Sequence, residues 1–206
     1  MTTILRLGKQ QRRQAYIFAL LMTAWCFMAG TAAAQTRYYV TPTGLVPTGM
    51  DNAWTDVIKL ETALEKAEPG DEIWVQGFEE IRKNSVDYRQ VYLAPKEGWT
   101  LKAGVKLYGG FKGNETSLEQ RATLGKAYNF ACRSILSGDI SMNDTIDHVN
   151  LISSSNALRS DNAEHVLTMN LNNSVANNIN DAVSVLDGFT IVGGHASVNG
   201  GGVLVT

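Results

Sequence analysis

The chain has 206 residues, 18% of them charged, and a formal net charge of -2 at pH 7. A balance so close to neutral, with no basic block in the body of the chain, argues against nucleic acid as a partner. Nineteen glycines and four prolines, with abundant Asn and Ser, suit a turn-rich fold and fall short of the bias that marks disorder.

The first segment reads as an export leader. Lys9, Arg12 and Arg13 precede an apolar run from Ala15 to Gly30, and small residues follow up to Ala32-Ala33-Ala34-Gln35. A charged start, an apolar middle and an A-x-A ending predict a secretory signal peptide over residues 1–34, cleaved between Ala34 and Gln35. The competing reading is a membrane anchor, but the run is shorter than the roughly 20 apolar residues needed to cross a bilayer. No membrane span is expected in the mature chain. Trp25 stands before Cys26 where a lipoprotein signal wants a small residue. Beyond the leader one cysteine remains, Cys132, which rules out an internal disulfide there and, beside Ala131, Ile135 and Leu136, predicts a buried thiol. No Cys/His grouping has zinc spacing.

From Gln35 onward the expected elements are mostly short strands. Arg37-Tyr38-Tyr39-Val40-Thr41 reads as the first. Asp51 or Asn52 then caps an expected helix whose apolar stripe is Trp54, Val57, Leu60, Leu64 and Ala67, stopped by Glu68-Pro69-Gly70. Asp71–Val75 is a strand, 76–89 a polar loop, and Val91–Leu93 and Trp99–Leu101 are extended. Val105–Tyr108 is a strand that Gly109-Gly110 is expected to end. Ser134–Ile140 follows, then a polar excursion over about 141–164. Strands resume at His165–Met169, Val185–Ile191 and Val203–Val205. Leu186 and Val203 lie 17 residues apart, Val166 and Val185 19, and Leu107 and Leu136 29. Stacked coils of one such interval each predict an all-β fold, a right-handed parallel β-helix with one N-terminal capping helix. A sandwich or antiparallel barrel is the alternative, although two-residue hairpin turns with strict alternation are not seen.

Several motifs carry a family resemblance. Pro69-Gly70-Asp71-Glu72-Ile73-Trp74-Val75, preceded by Ala63-Leu64, resembles the opening of pectin-lyase-like β-helix proteins. Val105–Phe111 with Gly113-Asn114-Glu115-Thr116-Ser117 and Arg121, then Ser134–Ile140, Val185–Gly194 and Gly200-Gly201-Gly202-Val203, look like the elements that follow. Together they resemble the N-terminal part of exported β-helix proteins of the Bacteroidetes, and the Gly-Gly-Val ending is similar to the repeats of chlamydial polymorphic outer-membrane proteins. The resemblance implies an N-terminal cap over 35–104 and early coils over 105–206. It also implies a location at the outer-membrane surface of a Gram-negative bacterium or outside the cell. Relatives of this kind continue through further coils, so a truncated frame or fragment is expected.

Residues able to carry chemistry are few. Asp139, Asn143, Asp144 and Asp147 place oxygen ligands close together, as calcium requires, although the spacing is not that of an EF-hand and turns explain the same residues. Calcium is the one cofactor considered. Tyr92 and Trp99, near Arg89, Lys96 and Lys102, are candidates to stack on sugars and hold acidic groups. Trp74 is expected to face outward or into the cap. His148, His165 and His195 have no catalytic partners by motif, and no nucleophile elbow occurs. No catalytic residue is assigned. The expected function is a non-catalytic exported protein, active in adhesion or in binding a polysaccharide or a host or cell-surface protein. The alternative is a fragment of a polysaccharide lyase or glycoside hydrolase with its catalytic coils beyond Thr206.

Overall fold

The computed structural model describes residues 34–46, 54–79, 91–125, 129–144, 158–170, 183–197 and 199–206. Gln35–Thr206 forms one compact unit. The strands are β1 Arg37–Val40, β2 Val57–Ile58, β3 Glu72–Gln76, β4 Phe78–Glu79, β5 Val91–Leu93 and β6 Trp99–Lys102. They continue with β7 Lys106–Phe111, β8 Cys132–Ser137, β9 Leu167–Asn170, β10 Val185–Asp187, β11 Phe189–Val192 and β12 Val203–Val205. Among the described residues one α-helix, α1, runs from Leu60 to Lys66.

The strands build three sheets. The first has the order β10-β7-β3-β1-β2, the second joins β11, β8, β5 and β4, and the third is β12-β9-β6. Among the described residues these strands pair in parallel except β4 on β8, and one isolated antiparallel bridge joins Thr123 to Phe130. A right-handed parallel β-helix, the expected fold, is therefore corrected: three sheets of mostly parallel strands are present, and the described residues do not close into a helix. The reason lies in the intervals. Leu186 pairs with Leu107 in the first sheet, while Val203 pairs with Leu167 in the third. Leu136 pairs with Ile191 and Tyr92 in the second. The spacings counted in the sequence thus join strands of different sheets, because spacing alone does not say which strands pair.

The helix is shorter than expected. Val57-Ile58 is extended and pairs with β1, so Trp54 and Val57 match a helical stripe by spacing without belonging to a helix. Residues 51 and 52, the expected caps, lie outside the described residues. Leu60, Ala63 and Leu64 turn the buried face of α1 to the core. The carbonyls of Glu65 and Ala67 accept the Lys102 ammonium at 2.8 and 2.9 Å, which satisfies acceptors that a helix end leaves open. The turn after it is held by Asp71, whose carboxylate accepts the backbone N–H of Glu68 and of Thr36.

Alternation sorts the side chains. Val40, Ile73, Val75, Leu101, Leu107, Leu136 and Leu167 point inward and are fully buried in one core with Tyr92 and Trp99. Burying each such aliphatic side chain is worth about 1.5–3 kcal/mol. Ser134 is paired in this interior: its Oγ donates to the Val75 carbonyl and accepts Gly110 N–H, at 3.0 and 2.9 Å. Cys132 is buried and not disulfide-bonded, as its neighbours suggested.

Glycines mark where backbones come close. β7 does not end at Gly109-Gly110 but passes through them with a register shift, since Trp74 faces Tyr108 whereas Gln76 faces Phe111. Gly110, at φ 86°, supplies the left-handed conformation such a bulge uses.

Candidate functional site

The outer face of the first sheet carries the most concentrated chemistry among the described residues. Inward residues alternate there with Arg37, Tyr39, Glu72, Trp74, Lys106, Tyr108 and Asp187. The register sets Tyr39, Trp74, Tyr108 and Asp187 side by side across four strands. Strict alternation would send Phe111 to the opposite face from Tyr108. The bulge at Gly109-Gly110 returns it to the outer side, where it stacks on Trp74 with centroids 4.5 Å apart. Trp54 closes the cluster, 4.9 Å from Tyr39 and 5.5 Å from Phe111. Its indole N–H donates to the Glu115 carbonyl at 3.0 Å.

Two arginines bracket these rings. The Arg37 guanidinium lies 3.8 Å over Trp74 and pairs with Glu72 at 3.2 Å. Glu72 also accepts the Trp74 indole N–H at 3.1 Å. Arg121 lies over Phe130 at 4.4 Å, with Phe111 and Tyr108 at 5.4 and 5.7 Å. It pairs with Asp187 at 2.8 Å and donates to the carbonyls of Gly109 and Leu118. A planar guanidinium satisfies ring faces and acceptors together, a task Lys does poorly. The buried carboxylate of Glu115 accepts backbone N–H groups of Lys112, Gly113 and Asn114, fixing the loop that covers Trp54.

Trp54, Trp74 and Phe111 are buried, whereas Tyr39, Tyr108 and, under Arg121, Phe130 are half-buried; Tyr39 and Tyr108 are the two of these that add a phenol hydroxyl. Loss of hydration raises the Tyr108 pKa, the Glu72 and Asp187 carboxylates raise it further, and Arg121 opposes them. Tyr108 is accordingly a neutral phenol at physiological pH, able to donate and accept between two carboxylates. Such a face offers ring stacking, hydrogen bonds and charge of both signs.

No family model, no curated protein and no solved structure matches this chain.

The residues singled out in the sequence fall elsewhere. Tyr92 and Trp99 are 5% and 4% exposed and belong to the core, so sugar stacking on these two rings is corrected. Tyr92 Oη donates to the Gln76 carbonyl at 2.8 Å, and burial drives its pKa well above 10.0. Trp99 Nε1 is buried without an acceptor. Arg89, Asp147 and His148 lie outside the described residues. Trp74, expected outward or in the cap, is on the outer side yet covered. His165 Nδ1 lies 3.1 Å from the Gly200 carbonyl, and the His195 backbone N–H donates to the Ala163 carbonyl. Asp139 and Asp144 are buried together, with Asn143 exposed beside them. Among the described residues no three His, Cys, Asp or Glu side chains form a metal-binding group. Among them too, no helix is long and apolar enough to cross a membrane.

The outer ladder was missed although a signal for it exists. Arg-Tyr-Tyr, Glu-Ile-Trp and Lys-Leu-Tyr, at Arg37–Tyr39, Glu72–Trp74 and Lys106–Tyr108, share a charged-apolar-aromatic pattern that aligns in register.

Proposed function

We propose that this protein is exported and works at the cell surface of a Gram-negative bacterium or outside the cell, binding a glycan or a protein without catalysing a reaction. The half-exposed Tyr108, flanked by Glu72, Asp187 and Arg121 on the outer face of the first sheet, carries the reading. Partly exposed aromatic rings with fixed charges beside them are what sugar rings and polar protein surfaces engage. Export rests on the charged, apolar and small-residue leader. Two further observations support it: the compact unit starts at Gln35, the residue after the expected cleavage point, and Ala34 and Gln35 are both exposed.

The test has two readouts. Mass spectrometry of protein recovered from the medium or cell surface is expected to find Gln35 at the N-terminus. The purified protein is then offered to a panel of acidic and neutral polysaccharides and to surface-protein extracts. Tyr108→Ala is expected to weaken the binding found by about tenfold or more, the scale of an aromatic anchor. Binding indifferent to both Tyr108→Ala and Tyr39→Ala would overturn the assignment of the site. Sustained release of unsaturated products from uronate polymers would overturn the non-catalytic reading.

A further inference from the structure

The polar nest between the loop after β8 and the 3-10 turn Leu158–Asp161 holds acceptors that nothing satisfies. Asp139 organises this loop and is fully engaged: Oδ1 accepts the Asn143 N–H and Oδ2 the Asp144 N–H, both at 3.1 Å. Asn143 Nδ2 donates to Asp161 Oδ2 at 2.9 Å, and Asn162 Nδ2 to Asp144 Oδ2 at 2.8 Å. Those bonds tie the two segments together and use one oxygen of each carboxylate. The remaining oxygens, Asp144 Oδ1, Asp161 Oδ1 and Asn162 Oδ1, are shielded from solvent and accept no hydrogen bond. Asp144 and Asn162 are each only 4% exposed.

A shielded carboxylate oxygen with no donor is costly, and two of them beside an equally bare amide oxygen more so. The Ser141 hydroxyl and the Lys96 charge both favour the ionised Asp161 carboxylate, yet its Oδ1 still accepts no hydrogen bond. Lys96 Nζ donates to the Asp161 backbone carbonyl at 3.2 Å, and the buried Arg159 Nε makes no hydrogen bond. Three bare oxygens with two negative charges and no donor suit a hard cation, which needs oxygen ligands and brings no hydrogen-bond demand.

We propose that Asp144, Asp161 and Asn162 bind a hydrated calcium ion, each through its Oδ1. The ligands differ from those the sequence suggested. Asp139 positions the loop, Asn143 holds Asp161 in place, and the second segment contributes Asp161 and Asn162. The donor set is two carboxylates and a carboxamide, with water completing the six to eight oxygens calcium takes. Few charged ligands place the affinity in the range of about 0.1–1 mM, as for extracellular calcium modules.

Calorimetric titration of the chelator-treated protein with calcium, and separately with magnesium, tests this. Calcium is expected to bind at one site and to raise the melting temperature, with magnesium weaker. Asp144→Asn keeps the shape and removes one charge, and is expected to weaken calcium about tenfold or more. Glu61→Gln on α1 is expected to change nothing. A wild-type protein that gives no binding heat and melts identically in chelator and calcium would overturn the proposal, whatever the variants do. Equal affinity in Asp144→Asn and wild type would also overturn it.

Discussion

Replacing Gly109 with alanine probes the close approach of β7 to the turn at Gly188. Gly109 lies inside β7, and its φ is outside the left-handed region, so an alanine there meets no conformational penalty. Space is the difficulty. A Cβ would stand 2.6 Å from the Gly188 carbonyl oxygen and 2.9 Å from Ser134 Cβ, closer than real Cβ atoms come. The first obstacle is backbone, held by the pairing of β10 on β7, and the second belongs to the residue that bridges Val75 and Gly110. Neither moves without disturbing a sheet. Overpacking of this kind costs about 1–3 kcal/mol. In a domain of this size, that lowers the melting temperature by about 2–12 °C. Urea unfolding followed by far-ultraviolet circular dichroism measures it, with a lower midpoint and an unchanged slope. Gly202→Ala is the control, since its Cβ would meet only Ile191 Cγ2 at an ordinary 3.6 Å. Its midpoint is expected to stay within about 0.5 kcal/mol of wild type. A Gly109→Ala protein as stable as Gly202→Ala would refute the close stacking of β7 against the Gly188 turn.

Two other outcomes follow from buried groups. Tyr92 is kept neutral by burial, so its folded pKa lies above the unfolded value near 10.0. Its stabilising contribution is complete below about pH 10 and falls as pH rises towards the folded value, because only the unfolded chain gives up the proton there. Unfolding midpoints across the alkaline range should drop more steeply for wild type than for Tyr92→Phe, and parallel curves would contradict this. Trp99→Phe removes an indole donor that has no acceptor, whereas Trp74→Phe removes one bonded to Glu72. Relief of an unsatisfied group, worth about 1–3 kcal/mol, offsets the lost ring volume at Trp99 alone. Trp99→Phe should therefore be the milder in urea unfolding, and equal losses would count against the assignment.

Much of the local structure is legible in the sequence, and most of the pairing is not. Val91–Leu93 and Val203–Val205 are strands at the bounds their composition suggests, and Pro69-Gly70 does turn the chain into β3. Apolar spacing failed wherever two structures share one period. Trp54, Val57 and Leu60 look like a helix face, yet Val57 is in a strand and Trp54 packs on the outer side of the first sheet. Likewise Gly109-Gly110 reads as punctuation, while the structure uses it as a bulge that brings Phe111 beside Trp74. The site was misplaced for a related reason. Tyr92 and Trp99 sit among Lys and Arg in sequence and so look exposed, but side-chain direction follows the pleat, and the pleat turns both inward. Asp161 and Asn162 lie too far along the chain from Asp144 to be joined to it by any local motif.

The order in which the chain fills the sheets also bears on how it folds. From β3 it runs to β5 and β6, from β7 to β8 and β9, and from β10 to β11 and β12, entering the first, second and third sheets in turn. Each of those strands finds its hydrogen-bonding partner on an earlier or later pass, so few of the stabilising contacts join neighbours in sequence. Loops must close before any pairing rewards them, which makes folding slow, on the scale of about milliseconds to seconds for chains dominated by non-local pairing. The strands laid down first act as the template on which later ones register. β10, β11 and β12 are themselves the end strands of their sheets, so among the described residues the docked chain still presents an open edge in each sheet at that side, where a further strand can add.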